Sequence, residues 1–433
     1  MLALIRAMPK GGDLHSHLSG AIYAESFARW AGQDGLCYTV STATLLVPPC
    51  RESAGTIPAS RLLTDSLLAR AAVDAWSMRG WRRGQTSGHD HFFATFGRFG
   101  LATRGRTGDM LAEVTARAGA QRIRYLELME TLDRGISNRL ARRVGWTDDM
   151  AEMQRRLERA GLRDSLRLVP VQVDSAEARR QSLLQCGRAA EDTGCNVVVR
   201  YLYQVIRERP PEEVFAQILS GFALAAADRR VVGLNLVAPE DGPIAMRDRA
   251  LHMRMIDHLH AQQPTMHVTL HAGEVTSDLL GTSVPRSHIR DAIVAGHASR
   301  IGHGVDVMQE RDPPSLLRLM AARGVLVEIA LTSNYEILGV AGDRHPLHTY
   351  LSHGVPVAFV TDDEGVSRSD MTHELLAAVQ QQGMSYTQIR TALRNSITHA
   401  FVEDSVKARL LSELDAELAN YERRLAVPDS LLH

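Results

Sequence analysis

The residues of this chain best suited to chemistry sit at the ends of apolar runs. "DLHSHL" carries His15 and His17, "HVTLHAGE" ends in His271 and Glu274, "RIGHG" holds His303, and "VPVAFVTDD" ends in Asp362 and Asp363. Side chains two apart on a strand point to one side, so His15 and His17 face a single point. Burying so many ionisable groups is costly unless they pair or bind a metal. His15, His17, His271 and Asp362 offer three nitrogens and one oxygen, a donor set that suits zinc or another divalent transition metal. Zinc lowers the pKa of bound water to about 7. His303 can then take the water proton or hold the nucleophile. Glu274, three residues beyond His271, reaches the same cavity as a proton donor to substrate. Asp363 points away from Asp362 on a regular strand, but the chain turns there, so it can swing to the substrate.

The elements that must carry these groups are short apolar runs with helical stretches between them. The runs cover 13–18, 122–129, 196–205, 231–238, 267–274, 300–304, 325–333 and 355–363. Several are almost continuously apolar, as strands covered on both faces are. The stretches between them include "SLLRLMAARG", which ends on a glycine, a usual helix stop. Eight alternating β-α units predict an α/β fold, a (β/α)8 TIM barrel whose active site lies at the C-terminal strand ends. Helical insertions are expected after the first and second strands, over 34–110 and 130–195. "LRLVPVQV" (166–173), broken by Pro170, reads as part of the second insertion and not as a ninth strand. With no repeat or low-complexity linker, the 433 residues read as one domain.

Composition narrows the class. Forty-nine Lys and Arg against 50 Asp and Glu give a net charge of −1, without the basic excess of a nucleic-acid binder. No apolar run approaches the roughly 20 residues that span a bilayer. "MLALIRAMPKGG" lacks a small-residue cleavage site; the chain as it stands reads as cytoplasmic, and a longer N-terminus carrying a signal would make it periplasmic or secreted. Cys37, Cys50, Cys186 and Cys195 form no CxxC pair, so a cysteine zinc cluster is not expected; two local disulfides or free thiols both remain open. A second His-x-His, His89 and His91 in "GHDHFFATFGRF", reads as a metal site, a lid, or a polar cap ahead of an aromatic helix. Ser333, Asn334 and His345, after the seventh run, are expected to shape the pocket wall or support the metal ligands, and Glu127 likewise. The insertions leave a homodimer possible.

"MPKGGDLHSHLSG", "LHAGE", "RIGHG", "TSN…HP" and "VTDDEG" together resemble the signatures of the adenosine deaminase family, in its order and spacing, from about residue 8 to about residue 400. "GGDLH", "VVVRYLYQVIR" and "VAPEDG" are most similar to the branch holding the secreted adenosine-deaminase growth factors and their bacterial relatives. The resemblance implies a barrel with one zinc ion per chain that replaces the 6-amino group of a purine nucleoside with oxygen. By motif position His15, His17, His271 and Asp362 would bind zinc, Glu274 would protonate purine N1, His303 would orient or deprotonate the water, and Asp363 would bond purine N7. Phe92, Phe93, Phe96 and Phe99 would lie on a helix that closes over the substrate; core packing explains the four equally well. The cytidine and tRNA-adenosine deaminases use an unrelated PCxxC motif, absent here.

The resemblance frays on the sugar side. Ser19 stands in "HLSG" where nucleoside deaminases usually carry an acid that meets the ribose. "NLVA" replaces "DLAG", so Asn235 stands for an acid and Ala238 for a glycine near purine N3. The expected substrate is adenosine or 2′-deoxyadenosine. The alternatives are another 6-aminopurine such as adenine or a modified nucleoside, and a nucleoside-binding or signalling protein with secondary catalysis.

Overall fold

The computed structural model describes residues 1–281 and 286–426. Eight parallel strands form the centre: β1 (Gly11–His17), β2 (Ile123–Glu130), β3 (Val198–Ile206), β4 (Val231–Val237), β5 (Thr269–Ala272), β6 (Arg300–His303), β7 (Leu326–Ile329) and β8 (Val357–Phe359). They pair in two halves, β1-β2-β3-β4 and β5-β6-β7-β8. Single bridges join the halves, Ser16 to Asp362 at one seam and Leu234 to Val268 at the other. β5, β6 and β7 are buried at every position, which is why their sequences alternate so little. This is the TIM-barrel fold, closed by two narrow seams.

Two buried arginines reinforce it. Arg300 of β6 bonds Glu328 of β7 at 2.7 Å and Glu127 of β2 at 2.6 Å, across the barrel interior. Arg207, just past β3, donates to the carbonyls of Leu236 (2.8 Å) and His271 (3.4 Å), tying the ends of β4 and β5 where only one bridge joins them.

The helix Pro313–Arg323 ends on Gly324, whose φ of +62° is the left-handed stop its sequence suggests. The first insertion departs from the helical expectation. It carries helices Ser66–Ala75 and Gly88–Phe99, but also a three-stranded antiparallel sheet of Cys37–Thr39, Thr44–Leu46 and Thr56–Pro58. Three residues show at most one alternation, too little for a strand signal. The second insertion holds helices Ile136–Val144, Met150–Arg159, Leu162–Leu166 and Val169–Leu183. Pro170 falls in the first turn of the last of these, where its missing N–H costs nothing. Disulfides join Cys37 to Cys50 and Cys186 to Cys195. Among the described residues no helix is long and apolar enough to cross a membrane.

Candidate active site

His15 and His17 end β1, His271 lies in β5, and Asp362 follows β8 by three residues. The seam that joins β1 to the segment after β8 brings them together: Asp362 N donates to His15 O at 2.9 Å, and His17 N donates to Asp362 O at 3.0 Å. Their side chains converge. His271 Nε2 lies 3.0 Å from His15 Nε2 and 3.3 Å from His17 Nε2, and Asp362 Oδ1 lies 3.4 Å from each of those two nitrogens. All four ligand atoms fall within 4.8 Å of one another. Tetrahedral zinc with ligands at about 2.0–2.1 Å places its donor atoms about 3.3 Å apart, so the spacing fits a shared cation. Asp362 Oδ1 is buried without a hydrogen-bond partner, a costly state unless a cation faces it.

The other ring nitrogen of each histidine is occupied. His15 Nδ1 meets Glu328 Oε2 at 2.6 Å, His17 Nδ1 meets Gln204 Oε1 at 3.0 Å, and His271 Nδ1 meets Asn235 Oδ1 at 2.9 Å. Each partner atom is an acceptor, so each Nδ1 carries the proton and each Nε2 turns a lone pair inward. Asn235 Oδ1 also accepts from the His271 backbone N–H at 3.0 Å. Of the departure "NLVA", Asn235 therefore falls behind a candidate metal ligand, whereas Ala238 lines the cavity beside it. Ser333 Oγ donates to Asp362 Oδ2 at 2.6 Å. Glu328 and Gln204 escape motif reading, and Asn235 is met there only as a sugar-side departure, yet a lone polar residue inside "VLVEIA" or "GLNLV" is the signal that such a partner exists.

The remaining groups line one side of this cluster. His303 Nε2 lies 3.6 Å from Glu274 Oε1 and 4.0 Å from Asp362 Oδ2. Burial, then the Asp362 and Glu240 carboxylates, hold the Glu274 pKa well above the ordinary range. Burial and the adjacent Asp362 do the same for Asp363. Burial pushes His303 down to about 4. These shifts favour the neutral form of both carboxyls and of the imidazole. Asp363 packs on Gly20, where even a Cβ would lie 1.4 Å from its Oδ1. His303, Asp362 and Ala238 adopt φ of +67°, +57° and +82°, left-handed conformations that cost of order 1–2 kcal/mol in non-glycine residues and cluster at functional sites.

Residues 167–417 match the family model described as adenosine deaminase. The chain belongs to the adenosine deaminase family. Adenosine deaminases of Klebsiella pneumoniae (strain 342) and Salmonella typhi are each 34% identical to it, over 195 and 197 residues, which cover 44% and 45% of this chain and 53% and 54% of theirs. The chain spans about half the length of these curated relatives. Among solved structures it is similar to an adenine deaminase from Arthrobacter aurescens (TM-score 0.61, 19% identity, 94% of this chain and 98% of that one). It is also similar to a zinc-bound amidohydrolase from Burkholderia ambifaria (TM-score 0.60, 19% identity, 98% and 94%). These are likenesses of fold. β1 lies outside the residues matched to the family model, so the placing of His15 and His17 beside His271 and Asp362 is a finding of the structure.

A cavity of about 250 Å³ opens beside the cluster. Its walls include Ser19, Ala238, Glu274 and Asp363, with Phe92, Phe93 and Phe96 from the helix Gly88–Phe99. Phe99, expected on this wall, stacks on Phe27 at 4.4 Å and does not line the cavity; it sits at the C-terminal end of the helix, where the side chain meets the helix Ala24–Gln33. His89 and His91 join neither metal-type group among the described residues. His91 Nε2 bonds Ser77 O at 3.1 Å. His89 Nε2 meets Asp241 Oδ1 at 3.0 Å and so latches this helix to the rim after β4. Glu127 pairs with Arg300 below the site and touches none of the candidate ligands' Nδ1 atoms.

Proposed function

We propose that this adenosine deaminase family member is a zinc-dependent aminohydrolase that converts adenosine or 2′-deoxyadenosine to the inosine counterpart and ammonia. The observation that carries the reading is the four-ligand group with the buried Glu274 carboxyl beside it. His15, His17, His271 and Asp362 would hold the ion, which when bound acidifies water and so supplies a nucleophile near neutral pH. Glu274 would give its proton to purine N1 as water attacks C6. Asp363, whose neutral form is favoured by burial, would donate a hydrogen bond to N7, fixing the ring. His303 would hold the attacking water, and Phe92, Phe93 and Phe96 would cover the base and exclude solvent.

The cavity wall also supports a choice of substrate class. No Lys or Arg lines it among the described residues, whereas three carboxyl groups do. A 5′-phosphate entering here would lose its hydration without a cationic partner. The reading is a neutral nucleoside, not a nucleotide. Adenine is the second reading, favoured by Ser19, whose hydroxyl holds a sugar less firmly than a carboxylate. The test is ammonia release by zinc-loaded protein from adenosine, deoxyadenosine, adenine and AMP in parallel, with Glu274→Gln as blank. Nucleoside turnover that Glu274→Gln abolishes while keeping zinc is the expected result. Turnover of AMP alone would refute the substrate class, and a fully active Glu274→Gln the mechanism.

The two disulfides support a compartment as well. Such bridges persist where the milieu is oxidising, which favours the periplasmic or secreted alternative over the cytoplasm. Thiol labelling of protein taken directly from its native host tests this, and four free thiols would overturn it.

A further inference from the structure

The "TSN…HP" residues do more than shape a wall. Asn334 lies on the helix Leu331–Leu338, and His345 precedes Pro346 and the helix Leu347–Ser352. Together they form a buried chain of hydrogen bonds that ends on His303. The backbone N–H of Leu347 meets His345 Nδ1 at 3.2 Å, His345 Nε2 meets Asn334 Oδ1 at 3.0 Å, and Asn334 Nδ2 meets His303 Nδ1 at 2.9 Å. His345, Asn334 and His303 are all buried, so bulk solvent does not compete for these links.

The direction of this chain follows from its first member. A backbone N–H can only donate, so His345 Nδ1 must accept. Neutral His345 then carries its proton on Nε2 and donates it to Asn334. That fixes the amide with its oxygen toward His345 and its NH2 toward His303. His303 Nδ1 must therefore accept, and the ring proton sits on Nε2, the buried atom that faces the site without a protein partner. The opposite arrangement would press two N–H donors together at the first link.

We propose that Asn334 and His345 are positioning residues that lock His303 in its Nε2–H tautomer, so that His303 enters the deaminase reaction as a hydrogen-bond donor to the attacking oxygen and not as the acceptor of its proton. The inference rests on the deaminase reading for its chemical consequence, though the tautomer itself does not. With His303 unable to accept, proton traffic passes through the Glu274 carboxyl, whose Oε1 lies 3.6 Å from His303 Nε2. Glu274 gives one proton to N1 and regains one from the water as its oxygen bonds C6. On collapse it gives that proton to the departing amine and regains the last O–H proton as the C–N bond breaks and C=O forms. Ammonia leaves, N1 keeps its proton, and both Glu274 and His303 end as they began.

The experiment is long-range 1H–15N correlation on 15N-histidine-labelled full-length protein, with and without zinc, His303 being assigned from the signals lost in His303→Gln. The expected result is a protonated Nε2 and an unprotonated Nδ1. Asn334→Asp places an acceptor against Nδ1 and is expected to move the proton there, lowering kcat by about 10²–10⁴-fold, the scale of a wrong catalytic tautomer, with KM changed by less than about threefold. His345→Leu frees the amide and gives mixed tautomers, while His345→Gln, which still donates to Asn334, restores a single Nε2–H form and most of kcat. A protonated Nδ1 in the parent protein, or an unchanged Nε2–H in both Asn334→Asp and His345→Leu, overturns the proposal. If the parent shows Nε2–H but turns over no purine, the deaminase reading falls and the tautomer lock stands.

Discussion

Replacing Gly20 by alanine tests the role of Asp363 without touching any ionisable group. A Cβ at Gly20 would stand 1.4 Å from Asp363 Oδ1, 2.4 Å from its Cγ and 2.9 Å from its Cβ. Real contacts do not fall below about 3 Å, so the carboxyl must retreat by about 1.6 Å. The two backbones cannot separate to relieve the clash, because Gly20 O accepts from Gly365 N at 2.9 Å and Val366 N at 3.0 Å. The Asp363 side chain has to turn away instead. A misplacement of about 1 Å in a positioned group costs on the order of 10²-fold in rate, equivalent to about 2.7 kcal/mol of transition-state stabilisation. The three heavy atoms nearest the new methyl all belong to Asp363, and zinc affinity, measured by chelator competition, is expected to stay within about threefold. Gly20→Ala should therefore retain metal and lose about 10²-fold in kcat/KM for ammonia release from adenosine. A kcat/KM within about threefold of the parent would refute the role given to Asp363. Loss of zinc together with activity would refute the separation of Asp363 from the metal group.

Four other outcomes follow from the same geometry. Arg300→Met leaves the buried Glu127 and Glu328 without their shared cation and should cost about 3–5 kcal/mol in urea unfolding; a loss under about 1 kcal/mol would show that these carboxyls find other partners. The His89 latch should weaken with alkali: burial opposes its charge, but Asp241 and Asp90 raise its pKa to about 9, so the ion pair is complete below the ordinary histidine value near 6.5 and is lost as pH rises through about 9. Hydrogen exchange in the helix Gly88–Phe99, corrected for its intrinsic rate, should accelerate over that range in the parent and stay flat in His89→Gln. Reducing the disulfides, which span 13 and 9 residues, should remove about 2–3 kcal/mol each by the loop-closure estimate, read as a lower unfolding midpoint in reductant. Zinc at about 1,000 times its Kd should raise stability by about 4 kcal/mol, and a chelator should reverse this; an unchanged midpoint would mean that the four-ligand group binds no zinc.

The parts legible in the sequence were those whose signal is local. His15, His17, His271, Glu274, His303, Asp362 and Asp363 each end an apolar run, and the barrel rule turns that position into a shared cavity. The residues behind them were hidden because their partners lie far along the chain: Glu328 meets His15 across 313 positions and Asn235 meets His271 across 36. The limits of the seventh run show a different reason. "LTS" looks like the tail of a strand, yet Leu331–Leu338 is helical, since β-branched and apolar residues serve a buried first turn as well as a strand. That turn carries Ser333 to Asp362 and Asn334 to His303, contacts that an extended tail would aim elsewhere. Phe99 failed for a related cause: helical spacing groups it with Phe92 and Phe96, but the cavity ends before the helix does.

The split of the barrel into two hydrogen-bonded halves gives the site its physical logic. His15 and His17 come from the first half, and His271 and Asp362 from the second. Among the described residues the one backbone bridge at the β1 seam is made by Ser16 and Asp362, one flanked by both histidines and the other a candidate ligand itself. Closing that seam and assembling the donor set are therefore one event. The left-handed φ of Asp362 is the cost of turning the chain out of the seam while keeping its carboxylate inside. A cation held by all four groups would repay it, since it bonds both halves where the sheet itself contributes least.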